Sequence, residues 1–298
     1  MVKHRNYIKE FLDYLKIERN FSNNTIRAYK NDLNNFSNFL ISYDGESSIH
    51  LIDRSAIQFY LSKISKSDIS SITLSRKLAS IKSLYRYLVE QEIVENNITK
   101  GIGFPKIPKK LPAYLSEKEM EKLIEIPDIH SKNPIKDKLI LEILYSTGMR
   151  ISELVSIKKN NIRLEEGLIS VMGKGQIERM VILGTPAKKS LKKYMEKNKN
   201  NSKFLFPNER GNSKTGHVCI RKTFNDIKKM LMLATNNDGL SPHSIRHSTA
   251  THLLENGTDL LSVKEIMGHA SLKSTQIYTH VQKDYMRKVY NLAHPEGN

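Results

Sequence analysis

The sequence predicts a mainly α-helical fold with an N-terminal helical bundle and a C-terminal α+β domain, the latter mostly helical with a small antiparallel sheet. Three observations favour this fold class. Apolar residues recur at helical spacing through the first hundred residues, a segment rich in proline and lysine follows at 104–113, and apolar residues alternate with others between 167 and 183. A chain of 298 residues is also long for one compact core, so two domains are expected.

Four amphipathic helices are predicted in the first domain, residues 1–103. Ser22 and Asp53 are suitable N-caps for the second and third of them. Since each apolar stripe needs burial, the helices should pack as a small bundle with basic outer faces. The stripes comprise Ile8, Phe11, Leu12 and Leu15; Ile26, Tyr29, Leu33, Phe36 and Leu40; Ile57, Tyr60 and Leu61; and Leu74, Leu78, Ile81, Leu84, Tyr85 and Leu88.

Residues 104–113 are expected to form an interdomain linker, because their three prolines remove amide donors and restrict the preceding residues. The second domain, residues 114–298, should open with a helix, since Ser116 begins a Ser-x-x-Glu capping box. A further apolar helix should end at Gly148. The alternation that follows predicts a β-hairpin with Lys174 in its glycine-flanked turn.

The composition indicates a polyanionic partner. With 48 Lys and Arg residues against 31 Asp and Glu, the formal net charge is +17, which favours nucleic acid. A well-solvated surface or a ribosome-associated protein is the alternative that charge alone leaves open. Cys219 is the single cysteine, so no internal disulfide forms and a reducing, cytoplasmic location is expected. The N-terminus shows no secretion signal and the chain has no membrane-spanning stretch, so no membrane partner is expected.

Six residues of the second domain could together bind and cleave a phosphodiester. Arginine binds phosphate through paired hydrogen bonds, lysine and histidine donate protons, and a phenol can attack phosphorus. Such a set would need neither metal nor ATP. In chain order the candidate catalytic residues are Arg150, Lys174, His243, Arg246, His269 and Tyr278.

Considered singly, several residues have simpler interpretations. His243 and His247 have the i,i+4 spacing of a metal pair, but no Glu follows His243 and no other ligand cluster is near, so no metal is expected. The glycines around Lys174 do not form a P-loop, since the upstream glycine and the following Ser or Thr are absent. Glu153, three residues after Arg150, could either orient that arginine or form an ordinary surface ion pair.

The order Arg, Lys, His-x-x-Arg, His, Tyr resembles that of the tyrosine site-specific recombinases, or phage integrase family, over almost the whole chain. Within that family the chain is most similar to the bacterial Xer recombinases of the XerC and XerD types. The family often has a second lysine where this chain has Ile177, so beside Lys174 only Arg179 is assigned, as a possible DNA contact. The resemblance also suggests that DNA phosphates lie near Arg27, Arg76 and Lys77.

The resemblance implies a DNA strand transferase that works by transesterification without cofactors. The two arginines, helped by the two histidines, would hold the scissile phosphate, while Tyr278 forms a 3′-phosphotyrosyl link and Lys174 protonates the departing 5′ oxygen. Two such rounds would pass through a Holliday junction. The double-stranded recombination site would be held by a homo- or hetero-tetramer with a homologous recombinase.

For an Xer recombinase the implied task is the resolution of chromosome dimers in the cytoplasm before cell division, with a septal DNA translocase as a possible activator. The residues do not distinguish the XerC type, the XerD type and a sole recombinase, nor do they identify the target DNA sequence. A helix predicted at 284–292 could dock into a neighbouring protomer or fold back on its own domain.

Three other functions share features of this sequence. A phage or mobile-element integrase is the main alternative, although the bundle begins almost at Met1, where integrases with an arm-binding domain carry extra residues. A type IB topoisomerase shares the tyrosine chemistry but rejoins the same strand, and no DNA-encircling domain is evident. A catalytically silent DNA-binding protein is disfavoured because all six expected positions are filled.

Overall fold

The chain divides into two compact units, Met1–Lys110 and Leu111–Asn298, which we call the N-terminal unit and the C-terminal unit. The computed structural model describes residues 6–44, 49–108, 113–173, 178–208, 216–267 and 280–297. Residues 104–113 span the division between the units, and their role as a linker stays a prediction. Within the described ranges, no helix is both long and apolar enough to cross a lipid bilayer.

The N-terminal unit is the predicted four-helix bundle. Its helices are α1 (Tyr7–Ile17), α2 (Asn23–Asp44), α3 (Arg54–Ser65) and α4 (Ser71–Glu90). Each helix begins after a side-chain cap that accepts a hydrogen bond from the backbone N–H three residues later; the caps are Asn6, Ser22, Asp53 and Ser70. Apart from Leu74, the residues of the predicted apolar stripes meet in one core, in which Phe11, Phe36 and Ile57 are fully buried.

The C-terminal unit is mostly helical with one small sheet. Its helices are α5 (Glu117–His130), α6 (Pro134–Thr147), α7 (Ile151–Val155), α8 (Thr185–Lys197), α9 (Ile220–Thr235), α10 (Pro242–Glu255), α11 (Leu260–Met267) and α12 (His280–Ala293). The antiparallel sheet has the order β1 (Ile162–Arg163), β2 (Leu168–Met172) and β3 (Glu178–Ile182). The predicted fold class is therefore confirmed in both units.

Helix α6 lies at the centre of the C-terminal unit, since all its residues from Leu139 onward are buried. Before it, Ser116 and Glu119 form the predicted capping box at the start of α5. Helix α6 ends where expected, at Gly148. This residue adopts the left-handed conformation with φ 57°, and its N–H closes the helix by donating to the Leu144 carbonyl oxygen at 2.9 Å.

The predicted hairpin is formed by β2 and β3, whose register pairs Ile169 with Val181 and Val171 with Arg179. Because side chains alternate across a strand, Arg179 and Val181 point to the same face, and both are buried. The sheet thus carries a charged side chain into the core of the C-terminal unit.

Helix α12 packs on the C-terminal unit of its own chain. Tyr290 is buried, and its hydroxyl shares a hydrogen bond of 2.7 Å with that of Ser146 on α6. Ala293 joins a small apolar cluster with Leu253 and Met267. In the single chain the C-terminal helix folds back on its own unit, and docking into a neighbouring protomer stays a prediction.

Candidate active site

Arg150 is positioned by the break between α6 and α7. It is the N-cap residue of α7, with an extended backbone at φ −77° and ψ 148°. Ile151, Leu154 and Val155 anchor α7 in the core, whereas the Arg150 side chain is 37% exposed. The backbone is held firmly while the guanidinium remains accessible, as a phosphate clamp requires.

Glu153 is buried beneath Arg150 and accepts hydrogen bonds from it. Its buried carboxylate accepts the Arg150 backbone N–H at 2.8 Å and the Arg150 Nη1 at 3.0 Å. Burial by itself would raise the pKa of Glu153, but hydrogen bonds from Arg179 and Arg150 and the positive charge of Arg179 lower that pKa below its ordinary value. The carboxylate is therefore ionised at neutral pH and orients Arg150, which distinguishes it from an ordinary ion pair on a helix surface.

Arg179 is the second cation on Glu153, and a contact of Arg179 with DNA stays a prediction. Only 6% of Arg179 is exposed. Its Nη1 and Nη2 donate to the two carboxylate oxygens of Glu153 at 3.1 and 2.9 Å. Because the guanidinium lies inside the C-terminal unit and is occupied by Glu153, its contact with the active site is indirect, through that carboxylate.

Arg246, on α10, lies near Arg150 and Arg179, and we call the region formed by these three arginines and Glu153 the cationic corner. Its Nη1 donates to the carbonyl oxygen of Gly148, and its Nη2 donates to that of Met267 at 2.8 Å. Burial, followed by the charges of Arg150 and Arg179, lowers the pKa of Arg246 to about 10, so this side chain stays protonated at neutral pH. Three arginines against one glutamate leave an excess of positive charge at this corner, which suits a phosphate.

Gly148 permits the contacts that Arg246 makes. A Cβ at this position would collide with the Met267 side chain, and the positive φ is unfavourable for other residues. The end of α11 can therefore lie against the turn between α6 and α7. As a result, the carbonyl groups of Gly148 and Met267 are both within reach of one guanidinium.

The structure brings together only some of the predicted catalytic residues. His243 is exposed in the first turn of α10, three residues before Arg246 on one helical face. Arg150 and Arg246 meet at the corner described above. The other candidates, Lys174, His269 and Tyr278, lie outside the described residues.

The remaining histidines of α10 have structural partners. Buried His252 lies between the Tyr145 hydroxyl and the Leu115 carbonyl oxygen, each at 2.9 Å from a ring nitrogen. The His247 ring lies edge-on to that of Tyr114. The described part of the chain contains no group of three or more His, Cys, Asp or Glu side chains able to hold a metal ion.

In the N-terminal unit, two cations predicted to lie near DNA share one buried carboxylate. Arg76 and Lys77 lie on α4, and both form ion pairs with Asp32 of α2. Arg27 is exposed on α2. No sequence motif includes Asp32, so its pairing with Arg76 and Lys77 was not predicted.

Two family models match the chain. The model described as "Phage integrase family" matches residues 113–284. The model described as "Phage integrase, N-terminal SAM-like domain" matches residues 8–92. The two matches fall in the C-terminal and the N-terminal unit respectively.

Individual proteins match over almost the whole chain. Tyrosine recombinase XerC of Oceanobacillus iheyensis is 38% identical over 300 residues, covering 98% of this chain and 97% of that protein. Tyrosine recombinase XerD of the same organism is 38% identical over 298 residues, covering 97% and 98%. Among solved structures, the XerH site-specific recombinase bound to palindromic difH substrate, in a post-cleavage complex, has a TM-score of 0.69 at 25% identity and covers 95% of this chain and 93% of its own.

Proposed function

Since the chain belongs to the phage integrase family, and within it to the Xer-type tyrosine recombinases, which cut and rejoin DNA, we propose that it exchanges strands at a specific double-stranded site through a 3′-phosphotyrosyl intermediate and a Holliday junction. The observation that carries this proposal is the corner where Glu153 holds Arg150 and backbone carbonyls hold Arg246. A fixed cationic corner stabilises a phosphate whose negative charge grows in the transition state.

In the proposed reaction the two arginines hold the scissile phosphate. Arg150 uses its Nη1 for Glu153, and no described residue accepts a hydrogen bond from its Nε or Nη2, so these donors remain for phosphate oxygens. Arg246 keeps a second N–H on each terminal nitrogen. His243 and His269 would add hydrogen bonds to the same phosphate.

Tyr278 is the proposed nucleophile. Its phenol releases its proton to solvent as the oxygen attacks phosphorus, the bond to the 5′ oxygen breaks, and Lys174 donates a proton to that oxygen. Tyrosine suits the role because a phenol with a pKa of about 10 gives both a moderate nucleophile and a workable leaving group. The 5′ hydroxyl of a partner duplex then attacks the phosphotyrosine, so the reaction consumes neither ATP nor metal-activated water.

The N-terminal unit is proposed to bind the DNA flanking the cleavage site. Arg27, Arg76 and Lys77 would contact phosphates, and residues 104–113 would link the two units. The formal net charge of +17 supports this interaction, because much of the affinity for DNA comes from neutralised phosphates. Contacts of this kind position the protein on DNA without reading its sequence.

The biological task we propose is the resolution of chromosome dimers in the cytoplasm at cell division. Its support is the identity of 38% to both XerC and XerD over nearly the full length, which favours this task over that of a phage or mobile-element integrase. A homo- or hetero-tetramer with a homologous recombinase, and activation by a septal DNA translocase, belong to the same proposal.

A nicked suicide duplex tests the chemistry. The wild type and Tyr278→Phe would be incubated, without metal or ATP, with nicked duplexes that carry candidate chromosomal sites. We expect a covalent protein–DNA adduct with the wild type and none with Tyr278→Phe. Transfer of the trapped strand to a second duplex would then separate a recombinase from a topoisomerase, which rejoins the same strand.

The matched control is Tyr43→Phe, which removes the hydroxyl of an exposed tyrosine in the N-terminal unit. It should form the adduct as the wild type does. If the wild type bound the candidate sites but formed no adduct at any of them, the result would contradict the proposed chemistry for the protein acting alone. A catalytically silent DNA-binding protein, or an enzyme held inactive until a partner arrives, would then be the better description.

A further inference from the structure

Asp32 is a buried acidic residue in a strongly basic protein. It lies on α2, and each of its carboxylate oxygens pairs with a cation of α4. Oδ2 contacts the Arg76 Nη1, and Oδ1 lies 3.4 Å from the Lys77 Nζ. A buried carboxylate needs such partners because desolvation penalises an unpaired charge. Two cations on one carboxylate leave this cluster with a positive excess.

Exposure within the cluster increases outward from the carboxylate. The side chain of Asp32 is 2% exposed, that of Lys77 13% and that of Arg76 42%. Arg76 gives one terminal nitrogen to Asp32, and part of its side chain remains exposed. The arrangement repeats the relation between Glu153 and Arg150, in which a buried carboxylate lies beneath a partly exposed arginine.

From this geometry we propose that Asp32 is a positioning residue for DNA binding, which holds Arg76 and Lys77 in the orientation that receives a phosphate group. This inference rests on the proposed DNA contact of the N-terminal unit. Without Asp32 the two long side chains would rotate freely, and their like charges on adjacent residues would repel each other. Ordering them on DNA would then cost rotamer entropy that the folded protein has already lost.

A purely structural role for Asp32 predicts the opposite change in affinity. If Asp32 only joined α2 to α4, removing its negative charge would add one unit to the net charge of +17 and strengthen the attraction to DNA. If Asp32 positions the two cations, its removal weakens binding and also lowers the salt dependence. The direction of the change therefore distinguishes the two roles.

The test compares Asp32→Asn with Asp13→Asn in the full chain. Both variants lose one negative charge, the first at the buried cluster and the second at an exposed position on α1. Affinity for a short random-sequence duplex would be measured over a series of salt concentrations, after thermal unfolding has shown that each variant is folded. A random sequence suffices because phosphate contacts do not depend on the bases.

We expect Asp32→Asn to bind the duplex roughly 5-fold more weakly. The slope of the logarithm of the association constant against the logarithm of the salt concentration should become less steep by about 1 to 2, since each lost phosphate contact contributes about 0.9. Asp13→Asn should bind as the wild type does or slightly more tightly. Tighter binding by Asp32→Asn, or an unchanged slope, would overturn the proposal.

Two further variants separate this inference from the proposed function. If the double variant Arg76→Gln, Lys77→Gln kept the wild-type slope, the proposed contact of these two side chains with DNA would be wrong. The proposed chemistry of Tyr278 would still stand, because the adduct assay tests it separately. A lower slope in the double variant but not in Asp32→Asn would overturn only the positioning role. Should Asp32→Asn fail to fold, Asp32→Glu moves the carboxylate by one methylene and should lower the slope by about 1; a wild-type slope would contradict the proposal.

Discussion

Glu153 receives both terminal nitrogens of Arg179, at 3.1 and 2.9 Å, and this contact joins strand β3 to helix α7. The same carboxylate holds the backbone and the side chain of Arg150. Because these groups are charged and largely enclosed, removing one of them leaves a buried charge without compensation. The orientation of Arg150 therefore depends on an arginine that lies in the core.

Glu153→Gln keeps the size of the side chain and removes its charge. Since the buried Arg179 would lose its counter-charge, we expect the free energy of unfolding to fall by about 3 kcal/mol. Formation of the protein–DNA adduct should slow roughly 10- to 100-fold, because Arg150 would no longer be held in place. Urea unfolding and single-turnover cleavage of the suicide duplex measure the two effects.

Glu166→Gln is the matched control for that substitution, because Glu166 forms an exposed ion pair with Arg163. Its effect on the free energy of unfolding should stay below about 0.5 kcal/mol. Equal effects of the two substitutions would show that burial of Glu153 does not matter, which would contradict the network described above.

Arg179→Lys keeps the positive charge but loses the paired hydrogen bonds to Glu153. Because Arg179 acts through Glu153, we expect affinity for an uncleavable duplex to stay within about 2-fold of the wild type, while the cleavage rate at saturating enzyme falls roughly 10-fold. Equilibrium binding and single-turnover kinetics give the two quantities. A loss of affinity as large as the loss of rate would instead indicate that Arg179 contacts DNA directly.

Gly148→Ala should impair both folding and catalysis. The added Cβ meets the Met267 side chain, and alanine disfavours the positive φ of 57°. We expect the free energy of unfolding to fall by about 1 to 3 kcal/mol. Relief of the positive φ would also shift the Gly148 carbonyl that accepts from Arg246, so the cleavage rate should fall. Gly103→Ala is the control, since a Cβ there meets no atom within 4 Å.

Glu296, which follows α12, predicts a pH dependence of stability. Burial, together with the charge of Glu142, raises the pKa of Glu296 from 4.5 to about 8. The folded protein therefore retains this proton at pH values at which the unfolded chain releases it. The stability that the protonated carboxyl contributes is fully present below pH 4.5 and is lost as the pH rises to about 8. Between pH 6.5 and 8 we expect the free energy of unfolding to fall by about 1 to 2 kcal/mol more in the wild type than in Glu296→Gln.

Urea unfolding at a series of pH values measures this difference. His294 does not contribute to the pH dependence above pH 6.5, because burial lowers its pKa from 6.5 to about 4. Its neutral form is favoured in the folded state, so the stability it contributes is present above pH 6.5 and is lost as the pH falls toward 4. Parallel curves for wild type and Glu296→Gln above pH 6.5 would contradict the assignment to Glu296.

The alternation along β3 indicates that Arg179 faces the core. Val181 is predicted on this strand, and Arg179 lies two residues earlier on the same face. A charged residue on an inward face indicates a buried partner of opposite charge. The sequence did not identify that partner, because Glu153 lies 26 residues away and meets Arg179 only through the packing of β3 near α7.

The sequence by itself determined the helical bundle, the hairpin and the family. Periodicity and capping are properties of short stretches of chain, and the order of motifs is a property of the sequence that needs no knowledge of packing. The tertiary structure decided which charges meet: Glu153 with Arg179, Asp32 with Arg76 and Lys77, and Arg246 with backbone carbonyls. A buried ionised group must find a partner wherever packing places one, so spacing along the chain does not reveal which residue that partner is.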